Sequence, residues 1–279
     1  MRVVVTGASG NVGLEVVAAL LDAGHDVRAV VRSTGRGEWP DGVDVFVGDL
    51  NQPVSLRPAW SGAQAAFILP GYPAMLLADA RAAGVQRVVQ LSGSSAEDAT
   101  SNNVITRYMT TSERNVRGSG IAFTILRPCA FMSNTLQWVA QLRAGDIVRA
   151  PFADVAAAVI DPYDIGRVAA VVATAADDRH DGQVYRLSGP AALRPADRVA
   201  ILADVLGRPL RFEAQPNPEA YAELSAQMPI EYVDAFFDFY VKGTIDESVL
   251  HPTVAQLTGK PPRPFHAWAQ THAASFAAQ

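Results

Sequence analysis

The opening thirteen residues constrain this chain more than any other stretch. A short β-branched run, Val3-Val4-Val5, leads straight into T-G-A-S-G-N-V-G, with glycines at Gly7, Gly10 and Gly13. Residues 11–23 then carry helical spacing, with Val12, Val16 and Leu20 on one face and Glu15 and Asp22 off it. A buried strand, a tight glycine turn and a helix are the opening of a βαβ unit that binds a dinucleotide. One glycine makes the turn, one lets a pyrophosphate approach the backbone, and one lets helix pack on strand. The helix N-terminus adds unpaired N–H groups and a partial positive charge, both suited to an anion.

The next strand, residues 26–31, ends in Arg32, 19 positions past Gly13, and Arg36 follows one helical turn on. In such a unit the residue about 20 positions beyond the glycines meets the adenosine ribose. A carboxylate there would accept from a 2′-hydroxyl. A guanidinium instead matches a 2′-phosphate, which it can grip with two N–H donors. The expected cofactor is therefore NADP(H) rather than NAD(H), the alternative being that both arginines are solvated loop charges.

Strands then alternate with helices. Strands are expected at 43–47, 65–69, 86–91 and 121–126, and helices at 54–60, 75–83 and 104–117. This spacing predicts an α/β protein of the Rossmann type: a doubly wound parallel sheet with right-handed crossovers. Beyond residue 134 the pattern loosens. Helices are expected at 136–142, 161–176, 196–206, 219–227, 231–240 and 265–276, with a strand at 184–187 rejoining the sheet and a short one at 210–212. Asp161 before Pro162 reads as an N-cap with proline in the first turn. We expect residues 1–130 with about 156–188 to form the nucleotide-binding domain. Residues 131–155 with 189–279 would form a small C-terminal α/β lobe over the substrate.

Composition narrows the function. Of 279 residues 49% are apolar, enough for a large core, and the net charge of −5 comes without a basic block. That argues against nucleic acid. No run of 18 apolar residues predicts a membrane span, and no charged-then-apolar leader precedes the first strand. With a single cysteine, Cys129, a reducing cytoplasmic location is expected. Cys129 reads as a small buried apolar residue. The five histidines show no ligand spacing, so no metal is expected. A small-molecule partner is expected, and a homodimer is left open.

Several motifs occur together and in order: T-G-A-S-G-N-V-G, V-R-A-V-V-R at 27–32, G-D-L at 48–50, A-A-G-V-Q-R-V-V at 82–89, S-G-I-A-F-T-I-L-R-P at 119–128, F-M-S-N at 131–134, D-P-Y-D-I-G at 161–166 and T-G-K-P-P-R-P-F at 258–265. The set resembles the NmrA-like branch of the atypical short-chain dehydrogenases/reductases over almost the whole chain. That resemblance implies that Gly7, Ser9, Gly10, Asn11 and Val12 hold the pyrophosphate and that Arg32 and Arg36 meet the 2′-phosphate. It places Asp49 and Leu50 beside adenine, Leu69 and Pro70 along the ribose, and Ser92 and Pro128 near nicotinamide. Asp49 reads equally well as a cap on its own loop. The resemblance implies one of two functions. The first is an NADPH-dependent reductase that passes hydride to an apolar conjugated or quinoid molecule, with Phe131, Met132, Asn134 and Trp138 toward the substrate. The second is an NADP(H)-binding regulator without turnover.

The catalytic apparatus is the least legible part. Short-chain dehydrogenases use Ser, Tyr and Lys, the lysine lowering the tyrosine pKa from about 10. Here Ser94, at the end of the fifth strand, and Tyr108, in the next helix, make the obvious pair. The residue four beyond Tyr108 is Ser112, however, and the first lysine of the chain is Lys242. Tyr108 is then either a proton donor without its tuning partner or a packing residue. A reductive relative would carry Lys or His where this chain has Met109, four residues before Glu113. Without such a group the protein's contribution reduces to binding, orientation and water exclusion.

Overall fold

The computed structural model describes residues 1–34, 39–98 and 101–276. In chain order the first half reads β1 (Arg2–Thr6), α1 (Asn11–Asp22), β2 (Asp26–Val31), β3 (Val43–Val47), α2 (Arg57–Trp60), β4 (Ala65–Ile68), α3 (Met75–Ala82), β5 (Arg87–Leu91), α4 (Val104–Arg117) and β6 (Ala122–Pro128). The second half reads α5 (Val139–Ala144), β7 (Ile147–Ala150), α6 (Pro162–Ala173), β8 (Val184–Leu187), α7 (Pro195–Leu206), β9 (Arg211–Ala214), α8 (Asn217–Gln227), α9 (Ile230–Tyr240), α10 (Thr253–Thr258), α11 (Phe265–Thr271) and α12 (Ala273–Phe276). Seven strands form one parallel sheet in the order β3-β2-β1-β4-β5-β6-β8. The expected Rossmann-type sheet is present, and residues 184–187 rejoin it beside β6.

Successive side chains of a strand point to opposite faces, so each inner strand supplies two cores. Val3 and Val5 pack with Val16, Leu20, Ile165 and Val168 on the α1/α6 face. Val4, between them, packs with Leu56, Trp60, Leu77 and Val116 on the α2/α3/α4 face. Helices α1 and α6 come so close that a Cβ on Gly166 would lie 2.5 Å from the backbone carbon of Glu15. A third core belongs to the smaller lobe and gathers Met132, Trp138, Leu142, Val148, Val199, Leu202, Phe265 and Trp268. The tail returns to the sheet side: the Arg263 N–H donates to Asp164 at 2.7 Å and its guanidinium lies 3.6 Å from Asp161.

The structure departs from the expectations at several places. Residues 147–150, which local pattern did not mark as a strand, pair in parallel with β9 to form a separate two-stranded sheet. The helix expected at 54–60 is a 3₁₀ turn, Pro53–Leu56, followed by the single turn of α2; Pro58 cannot donate to a longer ladder. The helix expected at 265–276 breaks at His272, and α10 was not foreseen. The N-cap at Asp161 is as expected, its carboxylate accepting from the Tyr163 N–H at 3.0 Å.

Candidate functional site

The turn between β1 and α1 shows why its three glycines are glycine. Gly7 has φ +60°, and a Cβ there would run into the Leu69 side chain. A Cβ on Gly13 would sit 2.1 Å from the Gly7 carbonyl oxygen, so only glycine lets α1 begin this close to the turn. Gly10 caps the helix in extended conformation without a side-chain hydrogen bond, and no acidic residue occupies the first turn. Gly10 and Asn11 face solvent. This is an open, twelve-residue helix end with its positive dipole pole unscreened. The donor set therefore fits the pyrophosphate of a dinucleotide. Thr6 holds the neighbouring loop in place, donating to the Phe67 carbonyl at 3.2 Å and accepting from the Leu69 N–H at 3.0 Å.

Arg32 leaves β2 on the same side of the sheet, exposed, and makes no hydrogen bond or ion pair with any described residue. Arg36 lies outside the described residues. The Asp49 carboxylate accepts from the Asn51 N–H at 2.9 Å and from Asn51 Nδ2 at 3.3 Å. Of its two readings, the loop cap is the one with contacts in this structure. Leu50 packs at the edge of the second core, and the Pro70 carbonyl accepts from the Tyr108 hydroxyl at 2.8 Å.

Past β5 the site turns polar and partly buried. Ser92 donates to Glu113 at 2.7 Å, and Arg127 holds the same carboxylate through two bonds of 2.8 and 2.7 Å. Pro128, buried, closes β6. Ser94 does not end the strand: β5 stops at Leu91, and Ser94 opens a 3₁₀ turn, Ser94–Glu97. Ser94 and Tyr108 have different hydrogen-bond partners. Tyr108, 44% exposed, is occupied by Pro70, and burial of its hydroxyl, first, and Tyr232, second, push its pKa up. That is the wrong direction for an acid at neutral pH.

The partner of Ser94 was invisible to sequence reading. Its hydroxyl donates to Glu247 Oε1 at 2.6 Å, across 153 positions of chain. The Tyr240 hydroxyl donates to Oε2 of the same carboxyl at 3.0 Å, and the Ala130 N–H also points to it. Glu247 is only 6% exposed and has no cation against it among the described residues. Burial is the largest influence on it and raises its pKa, against the three hydrogen bonds that lower it. Next to it, burial and the same carboxyl push the Cys129 thiol up to about 12, the state of an inert buried thiol.

Of the residues expected toward the substrate, Phe131 is half-buried and bridges to Ile160, and Asn134 is exposed. Met132 and Trp138 do not offer a free face: both are core residues of the lobe, and Arg198 lies over the Trp138 ring at 4.9 Å. Their apolar bulk is drawn into packing because a short 3₁₀ segment turns them inward. An aromatic group adjoins the carboxyl. Tyr240 lies 5.1 Å from the ring of Phe152 and is stacked with Phe236 at 6.4 Å. Phe152 holds φ +57°, which a bulky residue adopts only when its surroundings enforce it. No group of three or more metal-ligating side chains exists among the described residues, and no described helix is long and apolar enough to cross a membrane.

A model of the NmrA-like family matches residues 1–257. The chain is 39% identical over 285 residues to a (4-alkanoyl-5-oxo-2,5-dihydrofuran-3-yl)methyl phosphate reductase of Streptomyces griseus subsp. griseus, covering 99% of each chain. It is 32% identical over 288 residues to an NAD(P)H azoreductase of Xenophilus azovorans, again covering 99% of each. Among solved structures, the NADPH-dependent quinone oxidoreductase of Escherichia coli in complex with NADPH superposes with a TM-score of 0.78 at 23% identity, over 96% of this chain and 99% of that one. The last likeness shows the fold.

Proposed function

The chain belongs to the NmrA-like family, and on that footing we propose that it reduces an apolar conjugated or quinoid small molecule with hydride from NADPH. It is an NAD(P)H-dependent oxidoreductase; the two relatives it matches from end to end are named as reductases, one of them an NAD(P)H azoreductase. The observation that carries the cofactor choice is the guanidinium of Arg32, without a partner among the described residues, beside the glycine turn. On this reading Gly7, Ser9, Gly10, Asn11, Val12 and Gly13 hold the pyrophosphate and Arg32 takes the 2′-phosphate. NADPH supplies the hydride when bound. Leu69 and Pro70 lie along the ribose, and the loop that starts at Pro128 flanks the reacting ring.

The substrate class rests on chemistry and on relatives. The aromatic group around Phe152, Phe236 and Tyr240 suits a flat apolar molecule. The two relatives named above act on an unsaturated lactone ring and on azo compounds, both conjugated electron acceptors. Residues 1–130 with 156–188 would carry the cofactor, and 131–155 with 189–279 would cover the substrate. The test is NADPH oxidation by the purified protein against quinones, azo dyes and unsaturated lactones. Turnover with at least one class is the expected result. Tight NADPH binding without any turnover would instead favour the regulator.

A further inference from the structure

A conjugated C=C bond that accepts hydride at its β-carbon becomes an enolate, and the enolate needs a proton at the α-carbon. The usual donor is missing here: Tyr108 has no lysine and spends its hydroxyl on Pro70. The structure places another proton-bearing group at the same end of the sheet. Glu247 spans the loops that leave β5 and β6, bonded to Ser94 on one side and with the Ala130 N–H aimed at it from the other. It arrives from the covering lobe, beyond α9, and its own carbonyl accepts from the Ala158 N–H at 2.7 Å, so its backbone is fixed. Ser94, half-buried, is the one member of the chain Tyr240–Glu247–Ser94 that opens a turn directly after a central strand.

Resting on the reductase reading, we infer that Ser94 hands a proton to the reduced substrate and that Glu247 reloads it. Hydride forms the new C–H bond at the β-carbon, and the π electrons move to the carbonyl oxygen. The Ser94 O–H bond breaks as the α-carbon takes its proton. With the carboxyl protonated the 2.6 Å contact runs the other way, Glu247 Oε1–H donating to Ser94 Oγ and the Ser94 proton facing substrate, so that Oγ takes the Glu247 proton in the same event. The carboxylate left behind is held by the Tyr240 hydroxyl, and it is reprotonated from solvent once product has gone. One hydride and one proton are consumed per turnover, and the reductant is NADPH.

The surroundings raise the pKa of this carboxyl above its ordinary value, burial being the largest cause. Against it lie Tyr240 from α9, the Cys129 thiol at the end of β6 and the Ser94 hydroxyl. The cations nearby are spent or remote. Arg186 is paired with Glu97 at 2.6 Å, and Arg198 from α7 lies beyond Tyr240 over Trp138. Asp246, its neighbour, is bonded to Ser248. No positive charge compensates the ionised form, so burial dominates. Ser94 is the catalytic residue of this proposal; Glu247 acts through it, and Tyr240 positions Glu247.

The test compares an unsaturated lactone, which needs a proton on carbon, with menadione, whose reduced form is a stable anion. Glu247→Gln and Ser94→Ala are each expected to lower kcat for the lactone roughly 100-fold, the usual worth of a general acid, and to leave menadione turnover within about threefold. Wild-type kcat for the lactone should fall as pH rises through the carboxyl's raised pKa, and E247Q should lose that limb. An infrared titration of the NADP⁺ complex should show a protonated carboxyl band that persists above the ordinary carboxylate range and that E247Q lacks. Equal losses on both acceptors, an unchanged pH limb or no protonated band would each overturn the relay and leave Glu247 a structural clamp. Wild-type protein that binds NADPH but reduces neither acceptor would overturn the reductase reading, and the relay with it.

Discussion

Arg28 and Arg32 leave the same strand four residues apart and meet opposite fates. Arg28 is spent inside the fold, its guanidinium donating to the carbonyls of Ala59 at 2.9 Å and Ser61 at 2.5 Å. Arg32 has no partner among the described residues. An unpaired guanidinium beside an anion cradle is a specificity device, because a paired one has nothing left to offer. Arg32→Glu should therefore weaken NADPH binding about 100-fold and NADH binding by no more than about threefold, read by calorimetric titration. Asp164 tests a different effect. Burial, the largest influence, raises its pKa to about 6. A carboxyl whose folded pKa lies above its unfolded one favours folding fully below the unfolded value, and that contribution is lost as pH rises through about 6. Asp164→Asn keeps an oxygen for the Arg263 N–H and removes the buried charge. It should be more stable than the parent by up to about 3 kcal/mol at about pH 8, with the difference closing toward about pH 4, as measured by scanning calorimetry.

Among the elements, the α1/α6 contact is the one with least tolerance. Gly166 faces the backbone of Glu15, so an added methyl meets main chain rather than the flexible end of a side chain. Gly166→Ala should cost about 1–3 kcal/mol by overpacking, seen as a lower denaturation midpoint with an unchanged slope. The elements that sequence reading found are those with local signals: glycine turns, β-branched runs and caps such as Asp161. β7 escaped because a four-residue strand carries little periodicity, and its pairing with β9 joins segments 64 residues apart, Ile147 with Arg211. The site divides the same way. The proposed cradle and Arg32 lie close together in sequence, so local pattern can suggest them. Glu247 meets Ser94 only through the return of the lobe, and a 3₁₀ segment, which local pattern does not announce, turns Met132 and Trp138 into the core.

For the whole molecule, three cores share one continuous chain that leaves the main sheet after β6, returns for β8 and leaves again. Cys129 sits where the chain first leaves, buried and with its thiol pushed up to about 12. Iodoacetamide should leave native protein unlabelled at mildly alkaline pH and should modify Cys129 at the rate of global opening, a mass-spectrometric readout of unfolding.

The seams between sheet and lobe are fastened at more than one point. Ala158 and Ser94 both bind Glu247, and Arg263 binds Asp161 and Asp164. A jaw that swung wide in each cycle would have to strip a buried carboxyl of its partners every time. On the proposed reading, the substrate site then has fixed walls. Its throughput should then be indifferent to drag: raising solvent viscosity about threefold with sucrose should leave kcat unchanged, where a hinge-gated enzyme would slow in proportion.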